Sequence, residues 1–329
     1  MGNQVNTGLA QLSDQLVLAT VLLYLGAMIA YALELAFGRP RRAGAPARSR
    51  ALVAVGAEAP ADAAAGTEPD TDTDARTTDG AAEPPAEAPW VAIAGRVAVV
   101  LTWLGWAGNL AGIVTRGLAV GRWPWANMYE FVLGICFAAV TTFLVLMLRQ
   151  RIRFLGAFLM LAATLGLGFA VLYLHVQAGP VVPALNSYWV AIHVSAAIAA
   201  SGLFILAGVT GVLYLVRKPG AERLPEREVL ERIVHRAIVI AFPLWTFAVI
   251  AGALWADRAW GRYWGWDPKE VWSFITWIAY AAYLHSRATA GWRGKAGIII
   301  QLVACGCLLF NLVGVNIFFS GLHSYADVP

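Results

Sequence analysis

Apolar stretches of about twenty residues recur along most of the chain, and each is long enough to cross a hydrocarbon core roughly 30 Å thick. They fall at roughly 13–37, 91–115, 127–148, 154–174, 189–216, 237–256, 270–288 and 296–319, bounded by basic residues or by Trp and Tyr. The pattern predicts an all-α polytopic membrane protein with about eight transmembrane helices. The first run lacks the basic start and small-residue cleavage site of a signal peptide and is too long for one, so residues 1–37 are read as a retained transmembrane helix. Between 38 and 89 the composition turns to Ala, Pro, Thr, Asp and Glu, with nine of the chain's 20 acidic residues. Such a segment buries too little apolar surface to order itself, and it is expected to be a disordered cytoplasmic linker. Residues 90–329 then form a seven-helix membrane domain.

Composition agrees with the pattern. Of 329 residues, 59% are hydrophobic and 13% charged, against roughly 25% charged in soluble globular proteins. A formal net charge of +4 would by itself suit a nucleic-acid partner, but 18 of the 24 Lys and Arg residues lie in alternate inter-helix segments. The excess therefore reports membrane orientation and no nucleic-acid binding. It predicts that both termini and the 116–126, 175–188 and 257–269 loops face outward. Cys136, Cys305 and Cys307 sit inside apolar runs, too few and too apolar in setting for a disulfide framework or a zinc site. Cys305 and Cys307 are read as packing residues, and no C-x-x-C-H is present to attach haem covalently. Glu34 and Glu130, near helix ends, are expected to snorkel to the interface.

The segment 255–277, WADRAWGRYWGWDPKEVWSFITW, contains six of the 14 tryptophans. An interfacial belt explains one or two per helix end. Two readings remain: an amphipathic re-entrant segment at the membrane surface, or a flat apolar shelf of rings interleaved with Gly261 and Gly265 and edged by Arg258, Arg262 and Lys269. A planar, dianionic molecule such as haem would suit that shelf. Asp267 precedes Pro268, Lys269 and Glu270, which reads as an N-cap acid, a first-turn proline and a capping-box glutamate. As a cap alone, it would be replaceable by Asn or Ser.

Five histidines remain. His193, one turn into helix five, and His323, after helix eight, can both approach the tryptophan loop from the same face, and two neutral imidazoles on opposite sides of a porphyrin are an ordinary haem ligation scheme. His175 is also outward, and its role stays open. His235 lies in the basic 217–236 segment and is read as structural. His285 lies eighteen residues past Asp267, about 27 Å deeper along a helix. It is either a functional group within the membrane or an interface histidine beside Arg287.

The stretch WGRYWGWDPKEVWSFITW resembles the tryptophan-rich WWD signature of haem-handling proteins of cytochrome c biogenesis. WPWANMYEF (123–131), LNSYWVAIHVS (185–195), YLHSR (283–287) and GLHSY (321–325) narrow the resemblance to the CcsA/ResC-type subunit of the System II cytochrome c synthase, labelled CcsB in some actinobacteria. The resemblance covers about 90–325. It implies a multi-pass cell-membrane subunit of a haem lyase complex that takes haem b from the cytoplasmic side, moves it outward and presents it to apocytochrome c for thioether attachment. It further implies that His193 and His323 ligate the outer haem, that His285 holds haem en route opposite a ligand from a ResB-type membrane subunit, and that Trp260, Trp264, Trp266, Asp267 and Trp272 form the signature. No catalytic side chain is implied. Two other classes remain: a System I-like protein that delivers haem to a chaperone, and an electron-transfer cytochrome b. The first would share the two outer histidines, but eight spans and His285 weigh against it. The second would more often pair histidines between helices within the membrane.

Overall fold

The computed structural model describes residues 5–38, 88–150, 152–181, 185, 187–218, 220, 223–289 and 291–323. The expected acidic linker lies outside these residues. The described residues form helices throughout: α1 (Thr7–Phe37), α2 (Pro89–Val120), α3 (Met128–Arg149), α4 (Gly156–Tyr173), α5 (Tyr188–Val216), α6 (Arg227–Trp260), α7 (Pro268–Ala288) and α8 (Lys295–Leu309). A single 3₁₀ turn, Arg153–Leu155, leads into α4. After α8 the chain continues through a π-helical turn, Phe310–Gly314, into the short α9, Val315–Phe318.

Seven of the helical units among the described residues are long and apolar enough to span a membrane. The remaining long helix, α7, has 21 residues, about 32 Å at 1.5 Å per residue, and so matches the span in length but not in apolarity. Its Trp, Ser, Thr, Tyr and His side chains dilute the apolar signal. The fold is an all-α polytopic membrane protein, with a span count of seven or eight according to how α7 is classed. The helix ends differ modestly from the hydropathy pattern. The largest difference is in α6, whose 34 residues begin at Arg227, so His235 sits within a helix, its ring 6.3 Å from that of Tyr283.

Successive helices run up and down, so one end of the bundle gathers the starts of α1, α3, α5 and α7 with the ends of α2, α4, α6 and α8. Tertiary contacts show this directly: the Asn6 amide donates to Ala119 O at the end of α2, and the His175 ring, just after α4, lies 3.2 Å from the Asp14 carboxylate of α1. Helix α1 lies along α2, α5 lies along α6, and α3 bridges the halves by packing on α4 and α5. Helix α7 rests on α6 and α8, and α8 closes on α5. The core is a continuous apolar cluster running from Val17 and Tyr24 of α1 through Phe143, Leu159 and Phe204 to Leu308. Phe204 and Tyr280 stack at its centre, ring centroids 3.6 Å apart.

A buried ionic cluster fixes the end of the bundle that bears the tryptophan loop. Glu130 and Arg116 are each 1% exposed. Arg116 Nε donates to Glu130 Oε1 at 2.9 Å, and Arg122 Nη1 donates to Oε2 at 3.0 Å. The Ala126 amide donates to the same Oε2 at 2.7 Å. Snorkelling therefore does not describe Glu130: its carboxylate is buried and is the anchor that folds the 121–127 loop back onto α2 and α3. Glu34, at the other end, pairs with Arg153 at 2.9 Å and remains partly exposed. His175 packs edge-on against Tyr129 (5.1 Å) beside this cluster, which gives it a structural place.

Removing one member of a buried ion pair strands the other charge and costs about 3–5 kcal/mol. Glu130→Ala is therefore expected to lower the thermal unfolding midpoint of the detergent-purified protein by of the order of ten degrees. An unchanged midpoint would show that Arg116 and Arg122 find other acceptors.

Candidate functional site

The 255–277 segment is not a re-entrant amphipathic helix. It comprises the last turn of α6, the loop 261–267 and the first half of α7. Gly261 ends α6 in the left-handed region at φ 70°, and its amide donates to Asp257 O. The loop then folds around Glu270. The Glu270 carboxylate accepts the amides of Gly265 (2.7 Å) and Asp267 (3.1 Å), with Arg262 Nη1 3.6 Å away. Asp267 caps α7 with the full capping box read from the sequence. Trp266, between them, takes φ 61°, the single positive φ outside glycine among the described residues. Its side chain is 67% exposed. A bulky residue in that region costs of order 1–3 kcal/mol and persists only where its surroundings impose it. Here the amides on both sides of it are tied to one carboxylate.

The rings do not tile a single plane. Trp255 and Trp260 meet at 64° with centroids 4.7 Å apart, and Trp264 and Trp266 at 88° and 5.8 Å. Instead of a shelf, they wall a cavity that is partly open to solvent. Trp125, Trp245, Trp255 and Trp264 line it together with His193 and His323. Trp125 comes from the WPWANMYEF loop that Glu130 ties down, and Trp245 from the interior of α6.

The two histidines are held alike. His193 Nδ1 lies 2.7 Å from Ala248 O of α6, and His323 Nδ1 lies 2.9 Å from Asp267 Oδ1. A carbonyl and a carboxylate can only accept, so in both rings Nδ1–H donates, which leaves Nε2 as the atom free to ligate a metal. That is the outer-sphere arrangement by which metal-ligating histidines are oriented and made more basic. Trp255 flanks both rings, parallel to His193 (10°, 6.2 Å) and edge-on to His323 (5.6 Å). Trp260 also meets His323, at 4.9 Å. Close approach requires glycine on α6: a Cβ on Gly252 would lie 2.7 Å from His193 Cε1.

Asp267 does more than cap. Its Oδ1 accepts from the Lys269 amide (3.1 Å) and from His323, while Oδ2 accepts the Leu322 amide at 2.7 Å. A Cβ on Gly321 would lie 2.5 Å from Oδ2, so the chain can reach the carboxylate only with glycine there. Burial alone would raise the Asp267 carboxyl, but the hydrogen bonds from His323 and the Leu322 amide outweigh it and hold the group below the usual carboxylate range.

Of the other residues singled out in the sequence, Trp264 lines the cavity and Trp260 reaches it through His323, whereas Trp266 is exposed outside the lining. Trp272 packs on Phe310 at 4.3 Å and braces the π-helical turn. His285 is exposed in the last turn of α7, at the opposite end of the bundle. Lys269 lines the cavity, but Arg262 is taken by Glu270 and Arg258 lies over the Tyr188 ring at 5.1 Å. Sequence reasoning missed Trp245, Gly252 and Asn311. The first two carry no local signal in the interior of a long apolar helix. Asn311 had one: a polar residue inside an apolar span.

Among the described residues no group of three or more His, Cys, Asp or Glu converges on a metal position.

The profile of the family described as "Cytochrome C assembly protein" matches residues 125–323, more than half of the chain, and the protein belongs to that family. The matched region begins at Trp125 in the cavity wall and ends at His323. Similar proteins include the cytochrome c biogenesis protein CcsA of Trieres chinensis, 34% identical over 250 residues (64% of this chain and 80% of the relative). The CcsA of Pyropia yezoensis is 31% identical over 277 residues (70% and 87%). That of a Synechococcus strain is 29% identical over 296 residues (69% and 86%).

The geometry changes what is expected at position 267. An asparagine keeps one acceptor oxygen, enough for the cap, but turns an amide N–H₂ toward a second donor. Losing a hydrogen bond to a charged acceptor is worth about 1.5–3 kcal/mol. Asp267→Asn should therefore leave the Lys269 amide protected in hydrogen exchange while the Leu322 amide exchanges at least about tenfold faster. Equal protection of Leu322 in both proteins would reduce Asp267 to a helix cap.

Proposed function

We propose that this protein acts in cytochrome c biogenesis as a CcsA-type membrane subunit that holds haem b between His193 and His323 and presents it to apocytochrome c for thioether attachment. The observation that carries this reading is that both histidines line one aromatic cavity, each with its Nδ1 hydrogen committed to an acceptor. Haem is the substrate here. The chain's contribution is to seat its iron between two oriented imidazoles, to cover the macrocycle with indole rings and to leave one side of the cavity open toward the apocytochrome. His193, on α5, gives a rigid ligand. His323, on the segment after α9, gives one that is oriented by Asp267.

The distribution of basic residues supports a cell-membrane orientation with both termini and the tryptophan loop outward, and with the 38–89 linker in the cytoplasm. In that orientation His285 lies near the cytoplasmic side, about 27 Å from Asp267 along the continuous helix α7. Its exposure on the outside of the bundle suits a half-site that a ResB-type subunit completes with a second ligand, through which haem passes outward. The delivery of haem to a chaperone remains a second reading of the same outer site, and the co-purifying partner distinguishes the two.

Replacing either His193 or His323 by Gly is expected to abolish most cytochrome c maturation in a reporter strain, and added imidazole should restore part of it by filling the vacated position. Full maturation in His323→Gly without imidazole would overturn the assignment. His285→Ala should lower the haem bound at the outer site with His193 and His323 intact. An unchanged haem content after co-expression with the partner subunit would return His285 to an interface role.

A further inference from the structure

Haem offers two carboxylates, and of the three cations that edge the tryptophan loop only one is available to meet them inside the cavity. Arg262 faces Glu270 and the Trp260 ring, and Arg258 lies over Tyr188. Lys269 lines the cavity wall and forms no ion pair with any described carboxylate. Its Nζ is directed inward by a 3.1 Å hydrogen bond to the backbone carbonyl of Asn311.

Asn311 supplies an independent observation. It sits in the π-helical turn 310–314, where one extra residue per turn rotates the helix face. Trp272 braces that turn by packing on Phe310. Asn311 is one of the residues that line the cavity, its side chain is buried (5% exposed), and its Oδ1 has no hydrogen-bond partner. A buried amide oxygen without a partner, on the residue whose backbone carbonyl holds the Lys269 ammonium, is costly unless another group meets it. The same amide carries an N–H₂ donor of the kind a carboxylate accepts.

We infer that Lys269 and Asn311 form a carboxylate anchor in the cavity that binds one propionate of the haem and so fixes which edge of the macrocycle faces inward. This inference rests on the haem reading and deepens it. The anchor lies on the first turn of α7, two residues from Asp267, so the same helix start that positions His323 also positions the group that orients the porphyrin. The opposite edge, which bears the vinyl groups that become thioethers, is thereby directed toward the open side. The role is one of positioning: neither side chain touches the iron or the reacting carbons.

The test uses the purified full chain in detergent, titrated with ferric haem and with iron protoporphyrin dimethyl ester, followed by Soret absorbance. The unaltered protein should bind haem more tightly than the diester by of the order of tenfold to a hundredfold. Lys269→Met should weaken haem by about that factor, leave the diester unchanged and retain the low-spin spectrum. Lys269→Arg should keep the preference, and Asn311→Leu, which retains the backbone carbonyl, should reduce it a few-fold. Equal affinity of the unaltered protein for the two porphyrins would overturn the anchor. So would a Lys269→Met variant that weakens both porphyrins equally, since that marks a purely structural lysine. A protein that gives no low-spin spectrum with either porphyrin would overturn the haem reading itself, and the anchor with it. That outcome is visible before any variant is made.

Discussion

The site depends on one carboxylate. Asp267 starts helix α7, accepts the Leu322 amide and orients His323, so a single side chain couples a helix start to the segment after α9. Neither partner would be held in place alone. The loop 261–267 is short and carries Trp266 in a strained conformation, and the segment that follows Phe318 lies beyond the last helix. Two acids three positions apart, Asp267 and Glu270, have separate roles. Glu270 folds the loop, and Asp267 fastens what lies beyond it. The same device recurs across the cavity, where the buried Glu130 gathers Arg116, Arg122 and the Ala126 amide and so sets Trp125 in the wall. These carboxylates hold the two loops that carry Trp125 and Trp264.

The two histidines are similar in chemistry and different in mechanics. His193 is one turn inside a 29-residue helix packed along α6, its ring bonded to Ala248 and enclosed over Gly252. His323 depends on Asp267 and on the two indoles that flank it. Ligand orientation through Nδ1 is common to both, so the difference lies in what anchors the acceptor: a helix backbone in one case, a loop carboxylate in the other.

Much of this was legible in the sequence, and the failures have physical causes. Apolar runs located the helices because a bilayer demands a minimum length. The Asp-Pro-Lys-Glu start of α7 was readable since capping chemistry is local. His193 and His323 were expected on one face from their places at the helix ends, and both line one cavity. What periodicity could not reveal was tertiary. Glu130 looked like a helix-end residue free to snorkel, because its arginine partners lie eight and fourteen positions earlier across a turn. Asp267 looked like a cap because Leu322 and His323 are more than fifty residues away. The tryptophans suggested a flat shelf because composition carries no information on interplanar angles. Trp245 and Gly252 were invisible, since within α6 nothing marks one apolar position as facing a cavity, and the π-helical turn that carries Asn311 is encoded by no pattern of polar and apolar residues.

Whether His193 and His323 are the two ligands of one haem iron is tested most directly by low-temperature electron paramagnetic resonance of the purified protein loaded with one equivalent of ferric haem. The unaltered protein should give a low-spin bis-imidazole signal, His193→Gly and His323→Gly should each convert it to a high-spin signal, and added imidazole should recover the low-spin form. A low-spin signal that persists when both histidines are replaced, without imidazole, would contradict the shared ligation on which the site is built.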